Sequence, residues 1–385
     1  MAVIDFVNDV SKAIDDGMNT VGIFMDLSKA FDTIDHDILL AKLYHYGFRG
    51  VPHDWFKSYL TNRKQFVSYN TGKSGNEDIQ CGVPQGSILG PLLFILYMND
   101  ICYTSGLLKT ILFADDTTCF YSHKDVETLC NIVNNELEEV CNWFKANKLS
   151  LNAKKTNLMF LGTRFQTNNI NENYEIYLDG CKLALARVEE AKFLGITIDE
   201  NLTWKKQIDN VCKRCARNIG VLNKVKRFLT EQALYKLYCT LILPYLNYGL
   251  LLWGNGNKTC LDKVHKLQKR AFRTISNSPY LAPTKGLFKR FNALNIFDMY
   301  KKETGIFMYK YNSNMLPESF DGLFINHQSN HNYNTRNKDD YQFHMFRLNT
   351  VLNTGPKIWN NLPKHVKCSK TLGQFKKKIV SLLNS

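Results

Sequence analysis

The sequence predicts an α+β protein: an antiparallel sheet of the split βαβ class with helices on one face, followed by a helical and strongly basic region. Three observations carry this. Strand-like and helix-period segments succeed one another in the order β-α-β-hairpin-α-β through the first part of the chain. Two of the apolar runs, VGIFM (21–25) and ILF (111–113), end in bare carboxylates, Asp26 and the pair Asp115 and Asp116. Charge also divides along the chain. Residues 1–200 carry 18 Lys and Arg against 26 Asp and Glu, a net of −8, whereas residues 201–385 carry 31 against 9, a net of +22.

Taken in order, residues 4–16 have the spacing of a short amphipathic helix, DDGMNT is a turn, and Val21–Met25 is a strand. Ser28 stands where a helix cap is expected, with Phe31, Ile34, Ile38 and Leu39 at helical spacing until Gly47 stops it. A second helix covers Pro52 to Leu60. RKQFVSYNTGKSGNEDIQCGV alternates and turns at Gly72 and Gly75, as a β-hairpin does. SILGPLLFILYMNDI is an apolar helix of core type, and the Asp-Asp hairpin follows it. Residues 125–147 form a long helix with acids on one side, and SLNAKKTNLMFLG returns to strand. WKKQIDNVCKRCARNIGVLNKVKRFL is helical with a basic face, and EQALYKLYCTLILPYLNYGLLLW continues it.

Length and composition bound the function. A chain of 385 residues is too long for one compact core and implies two or three domains. A hydrophobic share of 44% is that of a globular protein and excludes wholesale disorder. The 11 cysteines follow no framework spacing, which points to a reduced, intracellular protein of the nucleus or cytoplasm. Cys212 and Cys215 form a C-x-x-C without a second pair, so they read as helix packing rather than a zinc site. The first residues have no basic start and carry several acids, unlike a signal peptide. The longest apolar stretch, TLILPYLNYGLLLW, is broken by Pro244 and Asn247, and no membrane segment is expected. An excess of +22 interleaved with Tyr, Phe and Trp favours nucleic acid as partner.

Adjacent carboxylates repel and are costly to desolvate without a partner. With Asp26 ending one strand and Asp115 and Asp116 at the turn of a hairpin beside it, three carboxylates from distant sequence converge. Hard Mg²⁺ ions suit such oxygen donors, and two ions roughly 3.5 to 4 Å apart clamp the attacking and leaving oxygens of a phosphoryl transfer. Taken singly, an Asp between strand and helix is more often an N-cap, and Asp-Asp in a hairpin more often a plain turn. Their joint occurrence with CGVPQGSILGPLLF (81–94) favours chemistry: Gly82, Pro84, Gly86 and Gly90 fix an unusual loop before a buried helix, and Gln85 offers a neutral amide to a nucleotide or template. The loop lacks the Gly-Lys-Ser/Thr ending of a phosphate-binding P-loop.

FMDLSKAFDTIDH, GVPQGSILGPLLF, LFADDT, NKLSLNAKKTNLMF and KFLGITID, in this order and at these spacings, resemble motifs A to E of the reverse transcriptases of non-LTR (LINE-type) retrotransposons. The likeness spans roughly residues 1–200 and weakens through the basic remainder. It implies a right-hand polymerase palm with partial fingers over 1–200, a helical basic thumb over 201–270, and a basic C-terminal region over 271–385 to which no chemistry is assigned. It also implies an RNA-directed DNA polymerase using two Mg²⁺ ions, with Mn²⁺ able to substitute, on an RNA template, a DNA primer and deoxynucleoside triphosphates. Asp26, Asp115 and Asp116 match the metal-binding catalytic aspartates, and the Leu27 carbonyl an extra ligand. Phe31 matches the aromatic gate against a ribose 2′-hydroxyl, a role compatible with a core aromatic on the same helix. Pro84, Gln85 and Gly86 match the nucleotide and template pocket. Lys155 resembles a lysine that protonates leaving pyrophosphate, beside its plainer reading as a solvated strand lysine. Phe193, Leu194 and Gly195 resemble the primer grip. Asp32, Asp35, His36 and Asp37 point in different directions on a helix and read as structural.

The likeness departs from the family pattern at the front, where the chain starts one helix before the first motif. Upstream fingers motifs and an endonuclease domain are therefore expected to be missing, as in a 5′-truncated copy or an incomplete gene model. A catalytically inactive nucleic-acid-binding remnant is the alternative to an active polymerase. Oligomeric state is not legible.

Overall fold

The computed structural model describes residues 1–170, 174–178, 183–325, 340–343 and 347–384. Within the basic C-terminal region, residues 333–337 (YNTRN) lie outside the described residues. The chain forms two compact units, one of Gly17–Leu194 and one of Met1–Asp16 together with Gly195–Ser385. Helix α1 (Ala2–Asp15) thus clusters with the second, helical unit, and buries Phe6, Val10 and Ile14 along one side.

The first unit is built on strand β1 (Asn19–Met25), every residue of which is buried. Helices α2 (His36–His45) and α3 (Val51–Leu60) follow. Next come four short exposed strands, β2 (Lys64–Gln65), β3 (Ser68–Tyr69), β4 (Gly72–Lys73) and β5 (Glu77–Asp78), paired β2 with β5 and β3 with β4. Then come helix α4 (Leu89–Met98), the hairpin β6 (Lys109–Phe113) and β7 (Asp116–His123), helix α5 (Val126–Ala146) and strand β8 (Asn157–Leu161). The sheet order is β6-β7-β1-β8, with every neighbouring pair antiparallel. The unit closes with helix α6 (Arg164–Asn168) and strands β9 (Tyr177–Leu178), β10 (Leu183–Ala184) and β11 (Glu190–Phe193). This is the antiparallel α+β arrangement expected from the sequence.

Strand alternation decides the core. Val21, Ile23 and Met25 of β1, Cys119 of β7, and Leu158 and Phe160 of β8 share one cluster with Leu39 and Leu43 of α2, Phe94 of α4, and Val133, Leu137 and Phe144 of α5. A half-buried polar knot ties three of these helical segments together. The Lys42 ammonium donates to the Asp100 carboxylate and the Tyr97 carbonyl, both at 2.6 Å, and lies 4.7 Å from the Trp143 ring, whose indole N–H also donates to Asp100. Burial pulls the Lys42 pKa down, and Asp100 opposes that fall.

Two local expectations are corrected. No helix begins at Ser28: its amide donates to the Ser150 carbonyl, Lys29 takes a left-handed φ of 51°, and only a short 3₁₀ turn (Ala30–Asp32) precedes α2. Asp35 is the cap of α2, its carboxylate accepting from the amides of Asp37 and Ile38. Pairing of residues 26–28 with 150–152 overrides the apolar periodicity. In the exposed hairpin, Gly72 lies in strand β4, and the preceding turn takes its left-handed residue from Asn70 (φ 49°), a side chain that tolerates that region.

In the second unit, strand β12 (Ile196–Asp199) leads to helices α7 (Lys205–Val225), α8 (Glu231–Leu241), α9 (Leu243–Asn247), α10 (Leu250–Trp253) and α11 (Lys258–Ile275). Helices α12 (Lys285–Arg290), α13 (Ile296–Asn312), α14 (Val351–Asn360), α15 (Lys364–Lys367) and α16 (Leu372–Asn384) complete it. Pro244 restarts the helix as α9, as its missing N–H requires. Helix α7 buries Ile208, Val211, Cys215, Ile219 and Leu222 and leaves Lys213, Arg214, Arg217 and Lys224 exposed. Cys215 is a buried packing residue whose thiol burial pushes up to about 12. No helix among the described residues is long and apolar enough to cross a membrane.

Truncating Ile23, fully buried in the central strand, to alanine should cost about 2–5 kcal/mol of unfolding free energy in urea. Val67→Ala on the exposed hairpin should change stability by less than about 0.5 kcal/mol.

Candidate active site

Asp26, Asp115 and Asp116 are brought to one end of the sheet by strand register. Met25 pairs with Thr117 across β1 and β7, so the next step of the ladder sets Asp26 opposite Asp116. Phe113 pairs with Asp116 across the hairpin, leaving Ala114 and Asp115 as its two-residue turn. Ala114 has a φ of 52°, a left-handed conformation that costs a residue with a Cβ about 1–2 kcal/mol. Strain of that kind persists where surrounding pairing over-determines it. The backbone continues the sheet past Met25: the Asp26 carbonyl accepts from the Asn152 amide at 2.8 Å, and Leu27, buried, bridges to Leu151.

The neighbouring carboxylates act on Asp116. The Asp116 pKa is raised, first by desolvation and then by the charges of Asp115 and Asp26, with Lys192 opposing the rise. Among the described residues, no group of three His, Cys, Asp or Glu side chains is gathered closely enough to hold a metal ion as it stands. The Lys155 ammonium is 3.5 Å from Asp26 Oδ2, and both side chains are partly exposed. Lys192, on β11, was not singled out from sequence. A lysine on the exposed side of a strand carries no distinguishing signal there, and only the fold brings its charge toward Asp116.

The remaining expected site residues are held by other partners. The Phe31 ring stacks on Phe94 with centroids 4.5 Å apart, and its carbonyl accepts from the Val83 amide at 2.9 Å. Pro84, Gln85 and Gly86 form a turn closed by the Ser87 amide on the Pro84 carbonyl, with Gly86 at a φ of 81° that the third turn position demands. The Gln85 side-chain amide donates to Asp32 Oδ1 at 2.8 Å, so Asp32 positions the glutamine. Gly82 lets two backbones touch: a Cβ there would lie 2.9 Å from the Asp32 carbonyl oxygen. His36 Nε2 donates to the Gly82 carbonyl at 2.8 Å, and Asp35 accepts from Lys148 at 2.5 Å. Phe193 is buried, edge-on to Phe24 at 5.7 Å, two residues before Asp26. Leu194 and Gly195 both take left-handed φ, 46° and 81°, as in a tight two-residue turn.

A family model described as reverse transcriptase (RNA-dependent DNA polymerase) matches residues 3–198. The chain is similar to a probable RNA-directed DNA polymerase from transposon BS of Drosophila melanogaster, at 28% identity over 77% of this chain and 33% of that protein. It is similar to the RNA-directed DNA polymerase from mobile element jockey of the same species, at 28% identity over 73% and 31%. It also matches the Pol polyprotein of type-1 retrotransposable element R2 of Popillia japonica, at 23% identity over 66% and 42%. The chain thus spans about a third of the length of the first two relatives. A solved telomerase from Candida tropicalis has a TM-score of 0.40 at 12% identity, over 79% of this chain and 46% of that one.

Because the folded-state pKa of Asp116 is raised, protonating it stabilises the fold, and that contribution fades as pH rises through the raised value. Asp116→Asn should therefore melt at a higher temperature than the parent at pH 7. The difference should shrink as pH falls through the carboxylate range, which calorimetry at stepped pH would measure.

Proposed function

The chain belongs to the reverse transcriptase (RNA-dependent DNA polymerase) family, and from that premise we propose that it works as the palm and thumb of an RNA-directed DNA polymerase of a non-LTR retrotransposon. It would extend a DNA primer on an RNA template with deoxynucleoside triphosphates. The observation that carries this reading is the register of β1 against β7, which sets Asp26 opposite Asp116 beside the turn that holds Asp115.

Enzymes of this family generally work with a divalent metal. The donor chemistry of the three carboxylates suits such an ion: their oxygens are hard donors, and the charges of Asp115 and Asp26 that help raise the Asp116 pKa are what a cation relieves. We assign these three as the ligands of two Mg²⁺ ions, for which Mn²⁺ can substitute, with the Leu27 carbonyl as a further donor. When bound, the ions supply electrostatic stabilisation of the charge that builds on the transferring phosphate.

The protein's own groups do the rest. Lys155, beside Asp26, gives a proton to the departing pyrophosphate as the primer 3′-hydroxyl, its own proton passing to water, attacks the α-phosphorus and the α–β phosphoanhydride bond breaks. Phe31, braced on Phe94, blocks the space of a ribose 2′-hydroxyl. Asp32 holds the Gln85 side-chain amide, and the Pro84–Gly86 loop meets the nucleotide and template. Phe193, Leu194 and Gly195 form the turn that presses on the primer. The basic face of α7, within the thumb segment 201–270, takes the phosphates of the duplex, contacts that position without reading sequence.

Primer extension on an RNA template with Mg²⁺ tests the assignment. The double variant Asp115→Asn, Asp116→Asn should lose at least about a hundredfold of the parent rate, and equal extension by both proteins would refute the site. No extension by either, with salt-sensitive duplex binding retained, would leave a nucleic-acid-binding remnant instead. Phe31→Ala should raise incorporation of ribonucleotides relative to deoxynucleotides by roughly tenfold or more, and unchanged discrimination would remove Phe31 from that role.

A further inference from the structure

In the first unit, the chain makes an excursion between β1 and the Pro-Gln-Gly turn. Asp35 bridges Cys81, so the segment between them leaves and returns at one point, just before Pro84. Its composition reverses that of its surroundings. Residues 38–76 carry 6 Lys and Arg against one acid, Asp54, a net of +5 within residues 1–200, whose net is −8. Of these 39 residues 8 are Phe, Tyr or Trp, about a fifth, against 12% of the whole chain.

The cations of this segment lie on rings. The Arg49 guanidinium is 5.0 Å from the Tyr44 ring centroid, that of Arg63 is 5.4 Å from Tyr59, and the Lys73 ammonium is 5.2 Å from Phe66. Among the described residues none of the three is ion-paired with a carboxylate, whereas Lys64 of the same hairpin is, with Asp78. Trp55 stacks on Tyr59 one turn along α3, with centroids 5.4 Å apart and planes within 10° of parallel, and is still 52% exposed. Tyr44 and Phe66 are exposed to a similar degree. Leu60, fully buried, and Phe56 hold α3 on the core, so the outer rings are not what fixes the helix.

An apolar protein face laid over these rings would desolvate unpaired cations, which is costly. A second copy of this chain, joined about a two-fold axis, would bring like charges together. A nucleic-acid strand satisfies both features, since its bases stack on ring faces and its phosphates take the cations. A duplex keeps its bases stacked on one another, so free ring faces select an unpaired strand. We propose that the end of α2, helix α3 and the hairpin of β2–β5 form a docking surface for single-stranded RNA, the unpaired part of the template, with bases on Trp55 and Tyr44 and phosphates on Arg49 and Arg63. That the strand is a template rests on the polymerase reading above; the stacking surface does not.

The test uses the full chain and an oligouridylate, read by fluorescence anisotropy, with an RNA–DNA duplex as the reference ligand. Trp55→Ala should weaken oligouridylate binding by about fivefold or more. Arg49→Gln, Arg63→Gln should lower the slope of log affinity against log salt by about 1.4, the share of two phosphates on a single strand. Both variants should keep duplex binding within about twofold and an unchanged circular dichroism spectrum. Photocrosslinking with 5-bromouridine in the strand should mark the tryptic peptide 50–57, which holds Trp55. If the parent extends primers, the variants should slow extension on templates with a long unpaired 5′ overhang more than on templates with a one-nucleotide overhang. If the parent extends nothing, the loss of single-strand binding still supports the surface, and the failure falls on the polymerase reading alone. Crosslinks confined to residues 201–385, or unchanged oligouridylate binding in both variants, overturn the proposal. So does a dimer that Trp55→Ala disperses without weakening RNA binding.

Discussion

The antiparallel pairing of β1 with β7 is the constraint on which the rest of the first unit depends. Seven consecutive residue pairs, from Asn19 with His123 to Met25 with Thr117, lock one register. A slip of one residue would turn Val21, Ile23 and Met25 out of the core and bring the opposite face in. The apolar cluster beneath the sheet and the meeting of Asp26 with Asp116 are therefore consequences of one choice. Hydrophobic burial supplies the stability, and the carboxylates ride on it at a cost that appears in the raised pKa of Asp116.

Around that register the loops are held by backbone contacts between segments far apart in sequence. Residues 26–28 pair with 150–152, which turns the chain away from helix and delays α2 until Asp35 caps it. Gly82 donates to the Ile34 carbonyl and Val83 to that of Phe31, so the Pro-Gln-Gly turn is anchored against the segment that follows Asp26. Gly82 is glycine because the Asp32 backbone fills the space a side chain would need. Of the residues that polar composition alone would scatter over the surface, Asp32 and His36 become fixings for that loop, and Asp35 accepts from Lys148.

Much of this was legible in the linear sequence because it rests on short-range signals. Short apolar runs ending in carboxylates mark β1 and β6, an apolar run with flanking Gly and Pro marks α4, and Pro244 marks the break between α8 and α9. The ends of elements were harder to read. Phe31, Ile34 and Ile38 have helical spacing, yet the first of them sits in a 3₁₀ turn because a strand contact competes for the backbone. Asn70 rather than a glycine takes the left-handed residue before β4, a choice set by pairing register and not by turn propensity alone.

What the sequence by itself determined was which residues of chemical interest stand where: three aspartates at strand ends, a Pro-Gln-Gly turn, and a basic second half. These follow from residue type and spacing, which are local. What only the tertiary structure decided was which charges meet. Lys155 came to Asp26 and Lys192 to the neighbourhood of Asp116. Lys42 of α2 came to Asp100 and Trp143. Such meetings are set by strand register and by how helices pack, and no window of sequence contains both partners.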